Sequence, residues 1–140
     1  GEPLFAFGSG LSYTSFAYAA PQLSTTTLQA GAALQVRTQV RNSGTRAGDE
    51  VVQVYLKYPQ RAQSPLRSLV GFQRVTLQPG ETRELQFELT PRQLSDVDRA
   101  GQRAVQPGDY RVFVGGGQPG TDAPGGEAAF SIQGTAPIPR

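Results

Sequence analysis

An all-β sandwich is the fold this sequence predicts, and three observations predict it. Apolar residues recur with a two-residue period, turn-forming clusters separate the periodic runs, and no segment carries a sustained helical apolar stripe. The period is clearest where Leu34, Val36, Thr38 and Val40 alternate with Gln35, Arg37, Gln39 and Arg41. Successive side chains of a strand leave opposite faces, so this run is a half-buried strand. The same pattern returns at Val52, Val54 and Leu56 around Gln53 and Tyr55, and at Leu85, Phe87 and Leu89 around Gln86 and Glu88. It returns again at Tyr110, Val112 and Val114, and at Ala128, Phe130 and Ile132.

Each boundary has its own chemistry. Asn42-Ser43-Gly44, Gln78-Pro79-Gly80-Glu81, Gln106-Pro107-Gly108-Asp109 and Gly115-Gly116-Gly117 are turn signals, because proline presets φ and glycine accepts positive φ. The run from Leu69 to Leu77 alternates less cleanly, with Phe72 and Val75 on opposite parities, which predicts a bulge or a sheet switch near Gly71. One short helical turn is expected around Arg92 to Val97, after Pro91. About seven short antiparallel strands with turns between them suit an immunoglobulin-like or fibronectin-like sandwich better than a barrel. Tyr110, starting a late strand after a Pro-Gly turn, is a candidate tyrosine corner, with an ordinary core tyrosine as the alternative.

The chain has 140 residues, the size of one domain. It contains no cysteine and no histidine, so disulfides, thiolate and imidazole metal sites, and Ser-His-Asp or Cys-His catalysis are all excluded. No cofactor and no metal is expected. The net charge of +2 comes from Lys57 and arginines scattered singly between Arg37 and Arg140, a solvated surface and not a nucleic-acid footprint. No apolar run approaches the length of a membrane span, and no signal peptide is visible. The opening Gly1-Glu2-Pro3-Leu4-Phe5 leads us to expect a piece of a longer protein.

Carboxylates are poorly placed for glycosidase chemistry, which needs two of them facing each other across a bond. Asp49 and Glu50 are neighbours on one strand and point to opposite faces; Asp96 and Asp98 fall in a polar loop. Asp96 to Gly101 resembles the start of a calcium loop, but Pro107 stands where the bidentate glutamate belongs. Gly115 to Gly120 matches a dinucleotide-binding pattern without the helix that must follow it. Tyr55 and Tyr58 are the candidate glycan contacts, since an exposed ring offers apolar area to a sugar face; cross-strand or interdomain packing is the competing role. The segment 1–15 carries Phe5, Phe7, Leu11 and Tyr13 without strand alternation, and these four are the interdomain docking candidates. The expected organisation is a linker over 1–15, a sandwich over 16–133 and a flexible tail over 134–140.

Ordered blocks along the chain carry a family resemblance. Pro3-Leu4-Phe5-Ala6-Phe7-Gly8-Ser9-Gly10-Leu11-Ser12-Tyr13-Thr14 is similar to the segment that leads, in family 3 glycoside hydrolases, into a C-terminal fibronectin type III-like domain. Asn42-Ser43-Gly44 with Ala47 to Tyr55, Leu69 to Glu81, and Pro107 to Tyr110 with Val112 and Val114 follow in the family's order. Ala6 and Ser9 stand where the family often has proline and an aromatic or histidine, Arg103 where a tryptophan is common, and Gly115 to Gly117 where the end is serine-rich.

The resemblance implies a parent enzyme, a secreted or periplasmic β-glucosidase or related retaining exo-glycosidase, whose catalytic carboxyl groups lie on preceding domains. No position here matches either catalytic motif, so the chain alone is expected not to be an enzyme. Its expected partner is the catalytic body of the same polypeptide, which it would stabilise. Two other roles remain open at this point: a polysaccharide-binding or wall-tethering module, and a cell-surface adhesion sandwich.

Overall fold

The structure, a computed structural model, describes residues 14–59, 67–97, 100–117 and 124–139. Two sheets face each other across one core. The first is built on β4 (Leu34–Asn42), which pairs antiparallel with β7 (Thr82–Leu89) on one side. Its other side takes β1 (Phe16–Tyr18) and β2 (Gln22–Leu23), which lie end to end. Pro21 stands between these two short strands; lacking an N–H, it is tolerated here because this is a sheet edge.

The second sheet has five strands in the order β3 (Thr27–Gln29), β11 (Gly125–Gln133), β10 (Gly108–Gly115), β5 (Gly48–Lys57) and β6 (Ser68–Leu77). The chain passes from one sheet to the other between β2 and β3, where Thr25 Oγ1 accepts the Thr27 N–H at 3.1 Å. As a result β3 runs parallel to β11, whereas an all-antiparallel arrangement was expected. A strand that changes sheets keeps its direction of travel, and here that direction matches β11.

The alternation along β4 is realised as read. Leu34, Val36, Thr38, Val40 and Asn42 are buried, and Arg37, Gln39 and Arg41 face solvent. Opposite them Leu89 and Leu85 are buried in register with Leu34 and Thr38. Val52, Val54 and Leu56 of β5 and Val112 and Val114 of β10 supply the facing side of the core, with no exposed surface. Each such side chain contributes about 1.5–3 kcal/mol on burial, which is why a chain without disulfides holds together.

Tyr110 is a tyrosine corner: it is buried, and its hydroxyl donates to the Gln106 carbonyl at 2.6 Å. Its ring stacks on Phe130 with centroids 5.2 Å apart. At the Gln78–Glu81 turn, Gly80 takes a φ of +79°, a conformation that a side chain resists, and its N–H donates to the Asn42 carbonyl at 2.8 Å.

Three local expectations shift. The helical turn is α1 (Pro91–Leu94), earlier than expected. Thr90 and Gln93 cap it reciprocally and Pro91 sits in its first turn, while Asp96–Val97 forms β8 instead. The segment read as a flexible tail is tied down: β12 (Ala136–Pro137) pairs with β9 (Arg103–Val105), which pairs with β8. Ile138 packs on the core, and its N–H donates to Arg103 O at 3.0 Å. A Gly- and Pro-rich composition suggested a loop, but β9 offers this segment an open ladder edge. Finally, among the described residues six strands are long, where about seven were expected, and the remaining strands are segments of two or three residues.

Candidate functional site

The docking candidates Phe5, Phe7, Leu11 and Tyr13 lie outside the described residues. Thr14, the first described residue, donates its hydroxyl to Asn42 Oδ1 at 2.6 Å. Tyr58, proposed from sequence as a glycan contact, is 9% exposed. Its hydroxyl donates to the Gln93 carbonyl at 2.8 Å, its ring stands edge-on to Tyr110, and burial pushes its phenol up. Most of its ring is therefore packed in the core, and what remains open borders the depression described below. Tyr55 is half-buried on the opposite side of the sheet, with its hydroxyl on Gln53 Oε1 at 2.7 Å.

Asp49 and Glu50 diverge as expected. Asp49 accepts from Thr76 Oγ1 at 2.7 Å and Arg74 at 3.0 Å, and these bonds hold its carboxyl below the usual range. Glu50 turns inward, where Tyr18 Oη donates to it at 2.8 Å. Burial raises the Glu50 carboxyl, more than the Tyr18 and Val51 hydrogen bonds lower it, and burial with the adjacent carboxylate raises the Tyr18 phenol strongly. Asp96 Oδ1 accepts the Val97 N–H at 2.8 Å, a turn-forming use; Asp98 lies outside the described residues. Among the described residues no cluster of His, Cys, Asp and Glu could hold a metal ion.

The conspicuous surface is the outer face of the five-stranded sheet. Phe72 is 68% exposed, Leu69 50% and Val51 39%. Residues three apart on a regular strand face opposite ways, so Leu69 and Phe72 should not share a face. They do, because the register between β5 and β6 shifts here: Val54 pairs with Gly71 and Tyr55 with Leu69, leaving Val70 as the extra residue of a bulge. Val70 packs against the core, and its carbonyl accepts from Gln93 Nε2 at 2.6 Å. The capping residue of α1 thus also holds the bulge.

Across the sheet from Leu69 stand Tyr55 and then Phe113, in register on neighbouring strands. The Phe113 ring lies over Gly115 and Gly125; a Cβ at Gly115 would come within 2.8 Å of it, and one at Gly125 would collide with it outright. The two glycines make room for the ring, so Leu69, Tyr55 and Phe113 form one row across the sheet, with Phe72 beside Leu69 on the same face and opposite Gln53, and Val51 opposite Arg74. A polar rim borders it, with Arg74 on Asp49 and, at 3.2 Å, Arg111 on Glu127. Further along the same face is an open depression of about 470 Å³, whose lining includes Tyr58 together with Lys57, Asp109, Arg111, Thr26 and Ser131.

Sequence reasoning pointed to the bulge and to Tyr55 but not to Leu69 and Phe72 as a pair. The signal was present in their odd spacing around Gly71.

A family model described as a fibronectin type III-like domain matches residues 50–118. A β-xylosidase of Formosa agariphila is 40% identical over 114 residues, 81% of this chain and 16% of that protein. A β-glucosidase of Rhizobium radiobacter is 42% identical over 115 residues, 81% of this chain and 14% of the relative, and a periplasmic β-glucosidase of Salmonella typhimurium is 35% identical. Among solved structures, a β-glucosidase from Erythrobacter marinus superposes with a TM-score of 0.79 at 36% identity, over 92% of this chain and 17% of that one. The chain spans about one sixth of the length of the relatives it matches.

Proposed function

Because the chain belongs to the fibronectin type III-like domains, we propose that it is a non-catalytic accessory domain of a family 3 glycoside hydrolase, stabilising the catalytic domains of the same polypeptide. The observation that carries the reading is the pattern of the match: most of this chain aligns with a single segment, about one sixth, of several β-glucosidases and a β-xylosidase. The divergence of Asp49 and Glu50 supports it, since among the described residues each carboxyl is engaged by its own partners, Thr76 with Arg74 and Tyr18, on opposite faces of the strand. The parent is a retaining β-glucosidase or a close relative acting on terminal β-D-glucosyl residues, with its catalytic carboxyl groups on the other domains. The description of the Salmonella typhimurium relative as periplasmic supports a periplasmic or secreted location for the parent.

Stabilisation needs no chemistry of its own. A domain that binds the folded catalytic body and not its unfolded form raises the stability of that body by linkage. The test compares the parent polypeptide with and without this domain, following the half-life of aryl β-glucoside hydrolysis at elevated temperature, and assays the isolated chain on the same substrate. The expected result is no hydrolysis by the chain and a shortened half-life on removal. Hydrolysis by the chain alone, or an unchanged half-life, would sink the proposal.

Tyr55 and Phe113, half-buried on an open sheet face, favour polysaccharide binding as a second reading. Depletion of the chain by insoluble cellulose or xylan in moderate salt, reduced by Tyr55→Ala, would establish it; no depletion would end it.

A further inference from the structure

The geometry points to the outer face of the five-stranded sheet, centred on Phe72 and Leu69, as the surface that docks on the glycosidase body of the same polypeptide. This rests on the accessory-domain reading above and adds the surface and its occupant. The anatomy is that of an interface: exposed aromatic and aliphatic side chains at the centre and charged pairs at the rim. The face is also held in shape before any partner arrives. The bulge at Val70 turns Leu69 and Phe72 to the same side, Gln93 fixes the bulge carbonyl, and Gly115 with Gly125 seats the Phe113 ring.

Covalent attachment selects the occupant. Covering the exposed parts of Phe72, Leu69 and Val51 removes on the order of 300 Å² of apolar surface. A stable complex of separate molecules buries roughly 800 Å² of total surface per partner, so these three side chains alone do not make one. A covalently attached partner is different, because a tether supplies an effective concentration of about millimolar and a small face then suffices. The tether is well placed. The chain enters at Thr14 against Asn42, and Asn42 Nδ2 donates to the carbonyl of Leu77, the last residue of β6. Phe72 lies five residues back along that strand, roughly 17 Å away. The thirteen preceding residues span at most about 45 Å when extended, so a body attached ahead of them is within reach of the face.

The experiment uses the parent polypeptide and the isolated chain, each as wild type and as Phe72→Thr/Leu69→Thr, with the parent lacking the whole domain as reference. Threonine keeps strand propensity and removes the apolar contact. Expected are an isolated variant that unfolds within about 2 °C of wild type, and a parent variant whose thermal inactivation is at least about fivefold faster. Carbene labelling of the Phe72 ring should fall at least about threefold between isolated chain and parent, a change that altered stability alone does not produce.

If domain removal shortens the half-life but the double variant does not, and Phe72 labels equally in both contexts, the docking face is wrong while the accessory reading stands. If domain removal has no effect, both fail. If the isolated chain self-associates and the double variant abolishes it, a second copy covers the face and the proposal is overturned.

Discussion

Asn42 offers the sharpest test of how this sandwich is held together. It ends β4, is fully buried, and uses its whole carboxamide. Nδ2 donates to Arg46 O at 2.7 Å and to Leu77 O at 3.0 Å, while Oδ1 accepts from the Gly44 N–H at 3.0 Å and from Thr14 Oγ1 at 2.6 Å. Its backbone N–H donates to Glu81 O at 2.9 Å and its carbonyl accepts from Gly80 at 2.8 Å. One side chain therefore joins the chain entry, the β4–β5 loop and the end of β6. Asn42→Ala leaves the buried Leu77 carbonyl without a partner, at about 1–3 kcal/mol, and removes three partly buried bonds worth about 0.5–1 kcal/mol each after water replaces them. The total is about 2.5–6 kcal/mol. An unfolding entropy of about 2.1 cal/mol/K per residue turns this into a Tm lower by about 9–20 °C.

Calorimetry gives Tm, and urea unfolding with an unchanged m-value shows that the same structure is being lost. Asn42→Asp sharpens the test: the shape is kept, but an oxygen replaces the amino group facing two carbonyls. At neutral pH the loss should equal or exceed that of alanine, and it should partly recover in acid, where a protonated carboxyl can donate once more. A drop of less than about 3 °C for Asn42→Ala would refute the reasoning, since a buried carbonyl cannot lose its partner so cheaply.

Thr38 is buried in the core and its hydroxyl has no partner, so Thr38→Val, equal in shape, should raise stability by about 1 kcal/mol in urea unfolding. Tyr110→Phe removes the bond to Gln106 O while keeping the stack on Phe130, and should cost about 1 kcal/mol with near-ultraviolet circular dichroism preserved. Glu50 sets a pH dependence. Its carboxyl is raised in the fold, so its contribution is fully present below the unfolded value of about 4.5 and is lost as pH rises through the folded value. Glu50→Gln keeps an acceptor for Tyr18 and removes that loss, so the Tm of the variant relative to wild type should climb from pH 4 towards neutrality; a constant difference would contradict the burial argument.

Much of the fold was legible because a half-buried strand writes its own orientation. The alternation from Leu34 to Val40 named its buried residues, and the Pro-Gly turn before Tyr110 pointed to a tyrosine corner. Tyr58 shows the same rule unheeded: it shares parity with Val54 and Leu56, and parity places it inside. The broken alternation around Gly71 announced an irregularity without saying where its side chains would go. That depended on Gln93, more than twenty residues downstream, reaching back to the Val70 carbonyl.

By itself, then, the sequence determined what is local: which segments are strands, which of their faces is apolar, where glycine and proline bend the chain, and that histidine and cysteine chemistry is absent. Only the tertiary structure decided that β3 runs parallel to β11, that Ala136–Pro137 closes a small third sheet, that Asn42 gathers three segments, and that Leu69 and Phe72 share one exposed face. The physical reason is common to all four. A side chain's period along the chain fixes its direction from the backbone, whereas its neighbour across space is set by which distant backbone groups still need a hydrogen-bond partner when the sheets close.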